Sequence, residues 1–218
     1  MIPFPDKKFK IIYADPPWAY RDKRDKHPRL SGGASVHYNT MELPDIKNMP
    51  IHNIRDENCI LFMWATFPNL PEALEVIKAW GFTYKTIGFV WIKLNKNDGK
   101  PFFGIGHYTK SNSEVCLIGI KGRPEIKSNF VSSVIMAPRE GHSKKPDIVR
   151  EKIVELMGDI PRIELFARQS VEGWDSWGNE IPDLPPMVKG AEGLLSVINK
   201  MPPNEELAKS IEEVIDER

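Results

Sequence analysis

The segment YADPPWAY, at residues 13–20, places one acid, two prolines and three aromatic residues side by side. Asp15 supplies a carboxylate, and the Pro16–Pro17 pair fixes the direction of the Pro16 carbonyl because proline restricts the backbone. These two acceptors can hold both N–H groups of an exocyclic aromatic amine, while Trp18 or the following tyrosine stacks on the ring. Such positioning helps an amine that is a weak nucleophile because its lone pair is delocalised into the ring. The alternative is a proline-rich turn under an aromatic lid, with no chemistry.

The elements that must position Asp15 are visible as apolar patterns. Residues 9–14 (FKIIYA) form a buried-strand pattern that ends at the prolines, so Asp15 is expected at the carboxyl end of a strand. Further strand patterns alternate with helix patterns, which predicts an α/β fold with a mostly parallel, doubly wound sheet. Ligands of such sheets bind beyond the carboxyl ends of strands, where DPPW and ARQS both fall. The predicted strands are 9–14, 59–65, 82–93, 114–122, 132–137 and 162–167; the predicted helices are 69–81 and 145–158, with helical turns within 43–54.

Length and composition fit one large domain with an appendage, because the 218 residues are 41% hydrophobic and 28% charged. We assign residues 1–182 to that domain and residues 183–218, with two further helix patterns, to a helical C-terminal extension. No apolar run is long enough to cross a bilayer, and no signal-peptide core is present, so we expect no membrane association. Cys59 and Cys116 lie in strand patterns and are expected to be buried, reduced thiols of a cytoplasmic protein. No Cys or His spacing predicts a metal site.

The net charge of zero hides a segregation. Residues 183–218 hold eight acids and four bases, so the preceding part of the chain carries a net charge of +4. Two loop-like stretches are basic, RDKRDKHPR at 21–29 and KLNKNDGK at 93–100. These stretches are either phosphate-binding loops or ordinary solvated loops. The candidate nucleic-acid-binding residues are Arg21, Lys23, Arg24, Lys26, Lys93 and Lys96.

A series of motifs resembles the amino methyltransferases that carry DPPW and make N6-methyladenine. That family includes the catalytic subunit of the eukaryotic messenger-RNA adenosine methyltransferase and many bacterial and phage relatives. The motifs occur in the family's order and spacing over about residues 9–181. After IIYADPPW they are HYNTM (37–41), LFMWAT (61–66), AWGF (79–82), FVWIKLN (89–95), GHYTKSNSEVCLIGIKG (106–122), HSKKPD (142–147), IELFAR (163–168) and GWDSWGNE (173–180).

The resemblance implies a Rossmann-like class I methyltransferase that passes a methyl group in line from S-adenosylmethionine to the adenine amino nitrogen. Asp15 and Pro16 match the positions that hold the amine, and Pro17 and Trp18 complete that motif. Tyr38 matches an aromatic residue beside the transferred group, with a core tyrosine as the alternative.

The cofactor side is expected late in the chain. Asn179 and Glu180 match the family's cofactor-binding pair, and Glu164, near a strand end, can accept from ribose hydroxyls. Arg168 and Lys145 are cations that can meet the cofactor carboxylate. The alternatives are that Glu164 pairs with Arg168 and that Lys145 lies on the surface.

Two further positions bear on the resemblance. Glu114 matches an acid near the target nucleoside in some relatives. After ELFAR the chain reads Gln169 and Ser170, where the messenger-RNA enzyme has His-Asn, so the cofactor contacts there are expected to differ.

Three functions remain open on the sequence alone. The first is adenine-N6 methylation of nucleic acid, with DNA favoured over RNA because compact relatives are commonly bacterial or phage. The second is a catalytically silent nucleic-acid-binding partner of the same fold, and the third is a small-molecule amine methyltransferase. A homodimer or a partner subunit is expected in addition to nucleic acid, because a single basic face on a neutral chain is small.

Overall fold

The computed structural model describes residues 3–19, 40–104, 106, 108–141 and 144–181. Within these ranges seven strands form one sheet, and the helices are short. The strands are β1 (Phe9–Ala14), β2 (Arg55–Ala65), β3 (Thr83–Leu94), β4 (Ser113–Lys121), β5 (Val134–Pro138), β6 (Arg162–Leu165) and β7 (Asp175–Trp177). The helices are α1 (Leu43–Lys47), α2 (Leu70–Ala79) and α3 (Ile148–Met157), with single 3₁₀ turns at Ile51–Asn53 and Phe67–Asn69.

The sheet order is β5-β3-β4-β2-β1-β6-β7. β1 pairs in parallel with both β2 and β6, and β6 with β7 and β3 with β5 are parallel too. β4 alone among the described strands is reversed, because it pairs antiparallel with β2 and with β3. The chain from β3 to β4 returns through a loop rather than a crossover helix, which produces an antiparallel pair.

Two apolar layers cover the two faces of the sheet. Leu61 and Met63 of β2 pack with Val76 and Ile77 of α2 on one face. On the other face, alternate residues of the same strands, such as Phe62, pack with α3. Because β2 is buried on both sides from Cys59 to Ala65, its sequence is a continuous apolar run rather than an alternation.

The strand order places a change of winding direction between β1 and β6. From β1 the chain builds outward to β2 on one side, whereas β6 and β7 are added on the other side. A crevice forms above the carboxyl ends of the strands where the winding direction changes, and it is the usual ligand site of α/β sheets. The chain segments that follow β1 and β6 meet there.

The predicted α/β fold with a mostly parallel, doubly wound sheet is confirmed. β2 begins four residues earlier than predicted, because the polar residue Arg55 already pairs with Phe9. The three-residue strand β7 was not predicted, since so short a segment has no measurable periodicity. The proposed extension at 183–218 lies outside the described residues. No helix in the described part of the chain is long and apolar enough to span a membrane.

Candidate active site

A narrow cleft of about 30 Å³ lies at the carboxyl edge of the sheet, above β1. Asp15, Pro16 and Pro17 enter it directly from the end of β1, and Thr66 enters it from the end of β2. Arg168 reaches the same cleft from the segment that follows β6. The cleft is therefore built from chain ends that the parallel strands bring to one edge.

Four charged side chains form a continuous chain of ion pairs that leads to this cleft. Lys93 Nζ lies 2.6 Å from Glu114 Oε1, and Lys145 Nζ lies 3.4 Å from Glu114 Oε2. Lys145 Nζ also donates to Asp15 Oδ2 at 2.7 Å. Because β4 is antiparallel, its first residues, including Glu114, lie at the edge where β1 and β3 end. The antiparallel direction of β4 thus explains why Glu114 pairs with Lys145, the residue that also pairs with Asp15.

The charges in this series of ion pairs shift the pKa values of Asp15, Glu114 and Lys145 in different ways. Burial raises the pKa of Asp15 above its ordinary value, although the Lys145 ammonium acts in the opposite direction. Burial acts to raise the pKa of Glu114 as well, but the two ammoniums of Lys145 and Lys93 outweigh it and lower that pKa. Burial acts to lower the pKa of Lys145, yet the two carboxylates raise it. Of Asp15, Glu114 and Lys145, only Asp15 has a pKa shift that disfavours its charged form, and 28% of its side chain is exposed.

The DPPW segment is a tight turn with a buried aromatic residue. The Trp18 backbone N–H donates to the Pro16 carbonyl at 2.8 Å, which leaves that oxygen a second lone pair. The Trp18 indole N–H donates to the Trp64 carbonyl at 3.2 Å, and the indole packs in the core beside Ala14. The Trp18 side chain therefore anchors the turn to β2, and only part of it borders the cleft.

Trp64 supports the cleft from below. Its ring lies 5.5 Å from Lys145 Nζ, and its indole N–H donates to the Tyr13 hydroxyl at 2.7 Å. Trp64 belongs to LFMWAT but was not singled out as a site residue from the sequence. An aromatic residue at the end of a buried strand looks like core, and only its position beside DPPW could have distinguished it.

Glu164 lies within β6 and faces α3. Arg150 Nε and Nη2 donate to its two carboxylate oxygens at 2.7 and 2.9 Å, and both side chains are buried. Burial raises the pKa of Glu164 despite this partner. The cation that holds Glu164 is therefore Arg150 and not Arg168, the partner that the alternative interpretation of the sequence offered. Arg150 lies three residues after Asp147 at the start of α3 and belongs to no motif, so no pattern in the sequence indicates this role.

Arg168, Asn179 and Glu180 are brought together where β6 and β7 end. Arg168 Nε lies 3.7 Å from Glu180 Oε2, and the Ala167 N–H donates to the Trp177 carbonyl at 3.0 Å. Gly178 makes this approach possible, because a Cβ there would lie 2.1 Å from the Ala167 oxygen. Three of the residues predicted for the cofactor thus form one group beside the cleft.

Of the other predicted site residues, only Lys93 and Lys96 lie in the described part of the chain. Lys93 is engaged with Glu114, whereas Lys96 is exposed in the loop after β3. Tyr38, Arg21, Lys23, Arg24 and Lys26 lie outside the described residues.

Known proteins are similar to this chain in sequence. The MT-A70 family model matches residues 9–180. The Type II methyltransferase M.MunI from a Mycoplasma species is 36% identical over 195 residues, which cover 82% of this chain and 80% of that protein. The N(6)-adenosine-methyltransferase MT-A70-like of Arabidopsis thaliana is 30% identical over 177 residues, and the human N(6)-adenosine-methyltransferase catalytic subunit METTL3 is 29% identical over 178 residues. The match spans about a quarter of these two longer proteins, 24% and 28% respectively.

Proposed function

The chain belongs to the MT-A70 family of methyltransferases, and we propose that it transfers a methyl group from S-adenosylmethionine to the exocyclic amino group of adenine in nucleic acid, with DNA the favoured substrate. The observation that carries this proposal is the position of Asp15. Its carboxylate stands beside the rigid Pro16 carbonyl in a cleft at the carboxyl edge of the sheet, which Arg168 also lines.

The amine is held by two acceptors. Lys145 occupies Oδ2 of Asp15, so Oδ1 accepts one amine N–H, and the second lone pair of the Pro16 carbonyl accepts the other. Both contacts draw electron density toward nitrogen and orient its lone pair, which is the part of the barrier that positioning lowers. Asp15 need not be a strong base, because the nitrogen becomes acidic once it is alkylated and its proton then leaves readily.

The residues beside the cleft fit S-adenosylmethionine. Arg168 can bind a carboxylate, Glu180 and Asn179 can bind hydroxyl or amino groups, and the Gly178 contact with Ala167 keeps them next to one another. When bound, the cofactor supplies an electrophilic methyl group on a sulfonium. Glu164 is the exception among the predicted contacts, because Arg150 holds both of its oxygens; we propose that it supports β6 rather than binding ribose.

DNA is favoured by the sequence similarity. M.MunI is a Type II methyltransferase, a class that acts on DNA, and it is 36% identical to this chain, whereas the two adenosine methyltransferases are 30% and 29% identical. The human relative is described as a catalytic subunit. We therefore include a homodimer or a partner subunit in the proposal, which sedimentation of the purified chain with and without DNA will test.

The decisive experiment is incubation with cofactor labelled in the methyl group and separate pools of unmethylated DNA, RNA and free adenosine. Digestion and mass analysis of the nucleosides are expected to show labelled N6-methyldeoxyadenosine in the DNA pool. Label in RNA alone, or in free adenosine alone, would reject the DNA assignment while keeping the chemistry. Cofactor binding without any labelled product would reject the chemistry.

A further inference from the structure

The chain between β3 and β4, residues 95–112, leaves the sheet at the edge where the candidate site lies. Its two ends adjoin Lys93 and Glu114, which begin the chain of ion pairs that ends at Asp15. We call this segment the β3–β4 loop. The base of the loop is therefore close to the residues that we propose for the amine.

The β3–β4 loop has a defined shape. The Phe102 N–H donates to the Lys93 carbonyl at 2.7 Å, and Leu94 and Gly104 form bridges with Pro101 and Ser111. Gly106 lies at a tight turn, where a Cβ would come within 2.0 Å of the Thr109 oxygen. The described residues of the loop therefore present their side chains from a hydrogen-bonded backbone.

Two aromatic side chains of the loop face solvent. Tyr108 is fully exposed, and Phe103 is 66% exposed. Single exposed aromatic residues are common, but here two occur within six residues of one loop, whose base adjoins Lys93 and Glu114. An exposed aromatic face in a basic setting is suited to stacking on nucleic-acid bases.

Exposed cations occur in the same loop and beside its base. Lys96, Lys100 and Lys110 belong to the loop, and Arg139, whose N–H donates to the Leu94 carbonyl, stacks 3.5 Å over the Phe102 ring. Within the described part of the chain, none of these four cations forms an ion pair with a carboxylate. Lys93, in contrast, is neutralised by Glu114 and is unsuited to hold a phosphate.

We propose that this surface, made of Lys96, Lys100, Phe103, Tyr108, Lys110 and Arg139, is the DNA-contact surface of the enzyme. The cations hold phosphates, and Tyr108 and Phe103 stack on bases next to the target adenine. The proposal rests on the proposed function for its choice of ligand. It goes further because it assigns the DNA contact to the β3–β4 loop. It also moves the phosphate-binding role predicted for Lys93 to Lys100, Lys110 and Arg139.

The cation part is tested with a fluorescein-labelled 30-base-pair duplex of random sequence, by anisotropy between 50 and 200 mM salt. The variant carries Lys96→Ala, Lys100→Ala, Lys110→Ala and Arg139→Ala. The slope of log K against log salt is expected to become shallower by about 0.9 for each phosphate that the variant no longer neutralises. The matched control removes four exposed cations at the opposite edge of the sheet, Lys10, Lys78, Lys85 and Arg123, and is expected to keep the parent slope.

The aromatic part is tested with a single-stranded 30-base oligothymidylate. Tyr108→Ala combined with Phe103→Ala is expected to weaken binding about five-fold or more, while Phe130→Ala, which removes another exposed aromatic residue, leaves binding unchanged. Equal effects of test and control variants would overturn the proposal. So would a change of oligomeric state in the Tyr108/Phe103 variant without weaker DNA binding, since the surface would then contact a protein. If the parent chain binds both probes through this surface yet methylates nothing, the surface stands and the proposed chemistry fails.

Discussion

Asp15 combines two requirements that oppose one another. As an amine acceptor it must be ionised, yet its burial at the end of β1 raises its pKa. The Lys145 ammonium, 2.7 Å away, acts to lower that pKa and keeps the carboxylate available. Lys145 therefore acts on the proposed reaction through Asp15, whatever its relation to the cofactor.

Asp15→Asn replaces one acceptor oxygen with an NH₂ donor at almost unchanged volume. We expect the rate of methyl transfer to fall at least about 100-fold, comparable with the loss of a preorganised electrostatic contact at other active sites. S-adenosylmethionine binding, measured by calorimetry, should change little. Asp6→Asn, at an exposed aspartate that precedes β1, is the control. A normal rate for Asp15→Asn would rule out its role as the amine acceptor.

The acid limb of the pH–rate profile should follow the ionisation of Asp15. Because the pKa of this carboxyl is raised, activity should disappear at a higher pH than the ordinary aspartate value of about 3.9. Lys145→Met removes an influence that lowers this pKa, so the limb should move to still higher pH. Lys145→Arg should restore it, and Lys144→Met, which changes the neighbouring lysine that pairs with Glu140 and Asp147, should leave it in place. An unmoved limb in Lys145→Met would assign it to another group.

Helix α3 is joined to strand β6 by a buried ion pair, Arg150–Glu164. Arg150→Met leaves the Glu164 carboxylate buried without its partner, so the free energy of unfolding should fall by about 3–5 kcal/mol. The double variant Arg150→Met/Glu164→Met removes both charges and should recover most of that decrease. Urea unfolding at pH 7 measures the free energy of unfolding of the single and the double variant. Lys152→Met is the control and should change this free energy little, because the Lys152–Glu155 pair is partly exposed and long, at 3.8 Å. A double variant as unstable as the single one would show that packing, not charge, joins the two elements.

The end of β6 carries the one non-glycine residue with positive φ in the described part of the chain, Phe166 at 60°. This conformation turns the chain toward Arg168 and strains any side chain that has a Cβ. Phe166→Gly should therefore be more stable than Phe166→Ala by about 1 kcal/mol. At Leu156 in α3 the order should be reversed: Leu156→Gly should be less stable than Leu156→Ala, since glycine weakens helices. Thermal unfolding of the four variants checks the reversal.

At the scale of the whole molecule, the sequence predicts the layers better than the contacts between them. The apolar run at 59–65 and the helix pattern at 69–81 are properties of local segments, so both elements occur close to the predicted bounds. The reversal of β4 depends on pairing between distant segments of the chain. The ion pairs Lys145–Asp15 and Arg150–Glu164 likewise join residues that are far apart in sequence or that belong to no motif. Glu164 illustrates the difference, because its place near a strand end was predictable and the cation that covers it was not.

The crevice between β1 and β6 leads to a prediction for the entire fold. A ligand that binds only the folded chain at 100 times its Kd stabilises it by about 2.7 kcal/mol, which for a chain of this size raises Tm by about 5–10 °C. S-adenosylmethionine should produce this shift in the parent chain and in Asp15→Asn. Arg168→Ala combined with Glu180→Ala, which removes charged groups at the ends of β6 and β7, should reduce it, and Phe130→Ala should not. A parent chain that shows no shift at millimolar cofactor would point to the catalytically silent member of the fold, because the crevice would then hold no methyl donor.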